Sequence, residues 1–244
     1  MTKLLIESIV ELISVSPLIY IWSNKTDFKW KQILLFVAYY VAYKCILFLP
    51  ILHPELKFIQ STWNWSGKTY AITGSLIFYS LFNNEFKNYD YITFKQNGNS
   101  LQAKFKVIAI LFILAFIVAL FCFRESAEKF EYFMFQFTMP GIDEEIAYRG
   151  IMLGLLSNTL RPKVHIGSLS IGNPAVLITS ILFGLVHSFG IDNDWNLSQN
   201  WFEFINVFLV GLVLGWMTIK SGSILMSIFT HNLLNTIPKL IFWI

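Results

Sequence analysis

The sequence predicts an all-α fold, a multi-pass transmembrane helical bundle of about eight membrane helices, and three observations carry that prediction. Hydrophobic residues make up 55% of the 244 residues and charged residues only 14%, whereas a soluble domain is about 25% charged. Mean hydropathy is +0.58. The apolar residues fall into runs of about 20 or slightly fewer, the length that spans a bilayer as a helix. Lysine and arginine gather in alternate connecting segments, as cytoplasmic loops require.

Taken in order, the expected helices are 4–22, 31–52, 69–82, 105–123, 132–160, 174–190, 201–219 and 223–243. The first carries Glu7 and Glu11 one turn apart, so both lie on a face turned into the bundle or toward headgroups. It reads as a retained helix, because no small-residue cleavage pattern follows it. Lys44, in the second, is expected to snorkel or to pair with Glu7 or Glu11. The third is short. After it, 83–100 is the longest polar stretch, and Asn97-Gly98 reads as a turn between an N-terminal and a C-terminal group of helices. The fifth helix is charged in its middle.

With eight spans, one set of loops holds Lys25, Lys29, Lys87, Lys95, Lys104, Lys106, Arg161, Lys163 and Lys220. The other set holds Lys57, Lys68, Arg124 and Lys129 beside several acids, which puts both termini outside. Cys45 and Cys122 both fall in apolar spans and read as packing residues, leaving no disulfide framework and no cysteine-based zinc site. The net charge of +3 is accounted for by the loops, and no dense basic run with aromatics suggests nucleic-acid binding. The chain is expected to form one integral membrane domain, 1–244. Its N-terminal helices, 1–130, have no assigned role, and its chemistry-bearing core is 136–239.

Three patterns sit inside apolar segments of that core: Glu144-Glu145-Ile146-Ala147-Tyr148-Arg149, Phe183-Gly184-Leu185-Val186-His187 and His231-Asn232-Leu233-Leu234-Asn235. A charge at membrane depth costs about 2.5–3.5 kcal/mol on insertion scales, so these groups must be paired, wet or at work. Pro140-Gly141 breaks the apolar run ahead of the first pattern, and a new helix can start there with Asp143 or Thr138 as its cap. On that helix Glu145 and Arg149 share a face and suit an ion pair. Glu144 lies about 100° round from Glu145 and is the carboxylate left free for chemistry. The four-residue spacing of the other patterns places His187 beneath the Phe183 ring and points His231 and Asn235 at one spot. A glutamate and a histidine as bases, with a histidine and an amide as donors, are what water-mediated amide hydrolysis asks for. Phe183 reads as packing and the Glu145–Arg149 pair as structure; His53 and His165, in loop-like contexts, receive no role.

These motifs resemble the CPBP family, which joins the type II CAAX prenyl endopeptidases to bacterial proteins linked with bacteriocin processing and self-immunity, the Abi proteins. That family is marked by Glu-Glu-x-x-x-Arg, Phe-x-x-x-His and His-x-x-x-Asn, each on its own membrane helix. Tyr148-Arg149-Gly150 and Gly222-Ser223-Ile224-Leu225 resemble its flanking residues, and the likeness covers roughly 139–239. It implies a CAAX-protease-like active site in the C-terminal half: Glu144 and His187 activate the attacking water, His231 and Asn235 hold the oxyanion, and Glu145 and Arg149 shape the site. The expected enzyme is a glutamate-type intramembrane endopeptidase without a cofactor, acting on a membrane-associated protein or peptide. Zinc held by Glu144, His187 and His231 is the alternative, and a catalytically silent immunity or scaffold protein is another. A transporter would spread its acids along a route, and here they cluster with histidines and an amide. The compact sequence fits a multi-pass protein of a bacterial cytoplasmic membrane.

Overall fold

The computed structural model describes residues 1–97, 127–166 and 169–243, with six single positions between 106 and 117. The expected helix 105–123 with its Cys122, and Gly98 of the expected turn, lie outside the described residues, those single positions aside.

Three helices form the N-terminal part: α1 (Thr2–Trp22), α2 (Trp30–Leu52) and α3 (Trp65–Leu81). The fifth expected helix is one continuous rod built of α4 (Ala127–Glu144), a π-helical stretch (Glu145–Met152) and α5 (Leu153–Ser157). Then come α6 (Pro174–Ser188), α7 (Trp201–Ser221) and α8 (Leu225–Trp243). Two hairpins interrupt them, β1 (Val164–Ile166) with β2 (Leu169–Gly172) and β3 (Phe189–Ile191) with β4 (Leu197–Gln199), both antiparallel. The all-α expectation therefore needs correcting by two short hairpins, one of which puts His165 on a strand rather than in a loop. Strands of three or four residues lie below the length at which alternation can be read from sequence.

Among the described residues three helices, α1, α2 and α7, are long and apolar enough to cross a membrane, and α6 is a shorter apolar helix. Asparagines start three of the helices. Asn64 accepts from the Gly67 N–H at 3.1 Å, Asn173 from Ala175 at 2.8 Å and Asn200 from Glu203 at 3.1 Å, each satisfying a donor that a helix end leaves open. The Asn64 cap begins α3 four residues earlier than the apolar run suggests. Lys68 is thus a buried residue in the first turn of a helix, and its expected place in a loop is wrong.

Pro140 does not end its helix. The ring removes one backbone donor, and the Gly141 N–H turns out of the helix to Asn232 Oδ1 at 2.7 Å. The rod continues, and neither Asp143 nor Thr138 caps it; Thr138 Oγ1 bonds back to the Met134 carbonyl, as a residue inside a helix does. Gly141 also lets α4 and α8 touch, since a Cβ there would lie 2.4 Å from Asn232 Oδ1 and 2.7 Å from the Ile228 carbonyl oxygen.

Helices α6 and α7 also pack closely. Gly211 and Gly215, four apart on α7, bring it against Ser180 and Val176, where added Cβ atoms would lie 3.1 and 2.8 Å from the nearest side-chain atoms. Small residues at that spacing let helix backbones approach where no hydrophobic force separates helix from lipid. The turn from α7 to α8 rests on Gly222 at φ +70, a left-handed cap whose N–H bonds the Thr218 carbonyl at 2.8 Å.

Between α1 and α2, Lys44 pairs with Glu11 at 2.6 Å, and the Tyr40 hydroxyl donates to the same oxygen at 2.7 Å. The expected partner is therefore Glu11. Glu7 instead accepts the Ile191 N–H at 2.8 Å and ties α1 to the second hairpin.

Candidate active site

Within the rod, Glu144 is the last α-helical residue and Glu145 the first of the π-helical turn. The π stretch is buried along its whole length, and Arg149 is its largest side chain. Such widened turns hold helix side chains in directions an α-helix does not offer, and they recur at functional sites. Glu145 Oε1 accepts from Arg149 Nη1 at 3.1 Å, with both side chains 0% exposed. The guanidinium also donates to the Gly211 carbonyl at 3.3 Å and lies 4.3 Å from the centre of the Phe183 ring. The close α6–α7 contact is what brings that carbonyl within reach.

Both histidines are oriented through Nδ1. His187 Nδ1–H donates to the Phe183 carbonyl at 2.8 Å, and His231 Nδ1–H donates to Glu145 Oε1 at 2.8 Å. A carbonyl or an ionised carboxylate can only accept, so each neutral ring carries its proton on Nδ1 and a lone pair on Nε2. Phe183 packs edge-on against both, with centroids 4.7 Å from His187 and 5.8 Å from His231. The expected ring over His187 is present, and it serves His231 as well.

The two Nε2 atoms face one carboxylate oxygen. Glu144 Oε2 lies 3.8 Å from His187 Nε2 and 3.7 Å from His231 Nε2, and has no hydrogen-bond partner among the described residues. Its other oxygen is not free. Lys68 Nζ sits 2.9 Å from Glu144 Oε1 and 2.9 Å from Asp143 Oδ2, and the Tyr43 hydroxyl donates to Asp143 Oδ2 at 3.0 Å. The expectation of an unpaired Glu144 holds for half of the carboxylate.

These groups open onto a cavity of about 520 Å³, walled by Glu144, His187, His231 and Asn235 from the three motifs and by Lys68 and Glu203 from outside them. Glu145 and Arg149 stand behind the wall. Among the described residues no three of His, Cys, Asp and Glu form a group that could hold a metal ion.

Sequence reasoning missed Lys68, Asp143 and Tyr43 as members of the site. Lys68 carried one signal, an asparagine four residues before it that can start a helix. Tyr43 carried none, because its nearness to Asp143 is a contact between elements 100 residues apart. Asn232, inside the third motif but not one of its marked positions, joins α8 to the rod at Gly141.

No curated protein and no solved structure matches the chain. Residues 126–237, which hold all three motifs, match the family model described as Type II CAAX prenyl endopeptidase Rce1-like.

Proposed function

We propose that this chain is an intramembrane endopeptidase that hydrolyses a peptide bond of a membrane-associated protein or peptide. One observation carries the reading: a carboxylate oxygen without a partner among the described residues faces two imidazole Nε2 atoms at 3.8 and 3.7 Å on the wall of a cavity. Those gaps exceed a hydrogen bond and suit a bridging water.

In this reading a water held between Glu144 Oε2 and His187 Nε2 attacks the carbonyl carbon of the scissile bond and gives up a proton to that pair. The carbonyl electrons move onto oxygen. The resulting oxyanion takes hydrogen bonds from the Asn235 amide and from His231. Because the neutral His231 ring spends its one N–H on Glu145, its Nε2 donates in the imidazolium form. Collapse of the intermediate breaks the C–N bond, and the proton taken from water passes to the leaving amine. Glu145, itself held by Arg149, fixes the His231 ring.

The mechanism proposed is metal-free. Glu144, His187 and His231 are also the candidate zinc set, yet Lys68 places an ammonium 2.9 Å from the same carboxylate. A dication on the second oxygen would have to share that carboxylate with a buried cation, which is electrostatically unfavourable at low dielectric.

The core 136–239 does not act alone in this reading, since Lys68 and Tyr43 come from the N-terminal helices. The test is cleavage of a membrane-peptide library by the purified protein in detergent, with and without a chelator, against Glu144→Gln. Wild type is expected to cut with the chelator present, and the variant to be slower by about 10²–10⁴, the usual weight of a general base. A correctly folded wild type that cuts nothing would move the reading to a silent immunity or scaffold protein, and loss of cutting with rescue by zinc would replace the mechanism.

A further inference from the structure

The cavity wall carries a carboxylate, that of Glu203, that the proposed chemistry does not use. Lys68 is shared between Asp143 and Glu144, and Arg149 is paired with Glu145. Glu203 lines the cavity with Glu144, and its side chain makes no hydrogen bond or ion pair with any described residue. Glu144 has the Lys68 ammonium at 2.9 Å, whereas Glu203 has no cation beside it among the described residues. Walls of low dielectric strengthen the pull of such a carboxylate on a ligand with the opposite sign.

Position adds direction to this charge. The Asn200 N–H bonds the Ser188 carbonyl at 2.9 Å, which sets the start of α7 beside the end of α6, one residue beyond His187. Glu203, Asn206, Val207 and Val210 all line the cavity from α7, at the spacing of one helix face. That face runs from charged through polar to apolar over seven residues, about 10 Å at 1.5 Å per residue. An extended peptide covers that length with about three residues at ~3.4 Å each. A substrate laid along α7 therefore meets a carboxylate at one end and valines at the other.

We infer that Glu203 is a specificity-determining residue that accepts a lysine or arginine side chain of the substrate, flanked by apolar residues that lie over Val207 and Val210. The inference rests on the reading of this cavity as a peptide site. A glutamate in the first turn also has a simpler use, favouring the helix N-terminus, and that use predicts no preference for a charged ligand.

The experiment uses the full-length protein in detergent micelles and fluorescent Leu/Ala decapeptides that differ only in one Lys, Gln or Glu moved along the chain. Binding is read by anisotropy and cleavage by product formation, for wild type, Glu203→Gln and Glu203→Lys. Wild type is expected to bind the Lys peptide about three- to tenfold more tightly than its Gln counterpart at one or two adjacent positions, the range of a partly exposed charge pair. Glu203→Gln should lose that preference and Glu203→Lys should turn it toward the Glu peptide, while the Gln peptide binds all three proteins alike. Equal binding of Lys and Gln peptides by wild type, or a preference that survives in Glu203→Gln, overturns the inference. A binding preference that follows Glu203 supports it even where no peptide is cut, an outcome that would count against the endopeptidase reading alone.

Discussion

Replacing Lys68 with methionine removes the one cation that two neighbouring carboxylates share. The lysine side chain is 10% exposed and those of Asp143 and Glu144 are 0% and 13% exposed. At 2.9 Å and an effective dielectric constant near 20, each attraction amounts to about 6 kcal/mol before desolvation is counted. Net of desolvation, deleting one partner of a buried pair costs about 3–5 kcal/mol, chiefly because the remaining charge stays buried and unpaired. Lys68→Met should therefore lower the unfolding free energy in mixed micelles by about 3 kcal/mol or more. It should also lower kcat by about 10²-fold, since Glu144 loses the contact that turns Oε2 toward the histidines. Two controls separate charge from shape. Lys68→Arg keeps the charge and should recover most of the stability but less of kcat. The double variant Lys68→Met/Asp143→Asn removes one charge of each sign and should be more stable than Lys68→Met alone. The reasoning fails if Lys68→Met unfolds at the wild-type free energy and cleaves within twofold of the wild-type rate, or if the double variant is less stable than the sum of the two single changes.

Three further outcomes follow from the same geometry. Arg149→Met should destabilise the protein by about 3–5 kcal/mol by leaving Glu145 buried without its cation, and Arg149→Lys should rescue it only in part, because a lysine lacks the planar fork that reaches Glu145 and the Gly211 carbonyl together; denaturation in mixed micelles measures both. Gly141→Ala puts a methyl group 2.4 Å from Asn232 Oδ1 and forces α8 away from the rod; His231 moves with it, so kcat should fall by about tenfold or more, whereas an unchanged kcat would mean that the contact does not set the His231 position. Asn235→Ala should lower kcat by about 10²–10³ with little change in KM if the amide serves only the oxyanion, and a change confined to KM would make it a substrate-binding group instead.

The chemistry of the site was more legible than its surroundings. Local spacing is enough to put Glu145 near Arg149 or Phe183 near His187, because residues four apart on a helix face meet whatever the rest of the chain does. That the three motif helices converge is not local, and there the likeness to known motifs supplied what physical spacing could not. Lys68 was misplaced for a definite reason: hydropathy locates a helix by its apolar middle, and the first turn of α3, started by Asn64, is polar. Pro140 misled in the opposite way. Proline ends helices when the freed carbonyl and the neighbouring donor have nowhere to go, and here Asn232, from a helix 91 residues away, takes the Gly141 donor.

The order of residues alone shows that the chain is helical and apolar enough for a membrane, where most described helices begin and end to within a few residues, and which ionisable groups have to be accounted for. Contacts between helices set how they are divided: which Glu144 oxygen is held by a lysine and which faces the histidines, which nitrogen of each imidazole is occupied, and that Glu203 is left without a partner among the described residues. The physical reason is range. Helix formation and apolar burial depend on neighbours within a turn or two, whereas the pairing of a charge depends on atoms that approach from other helices, and no short stretch of sequence records which of them arrives.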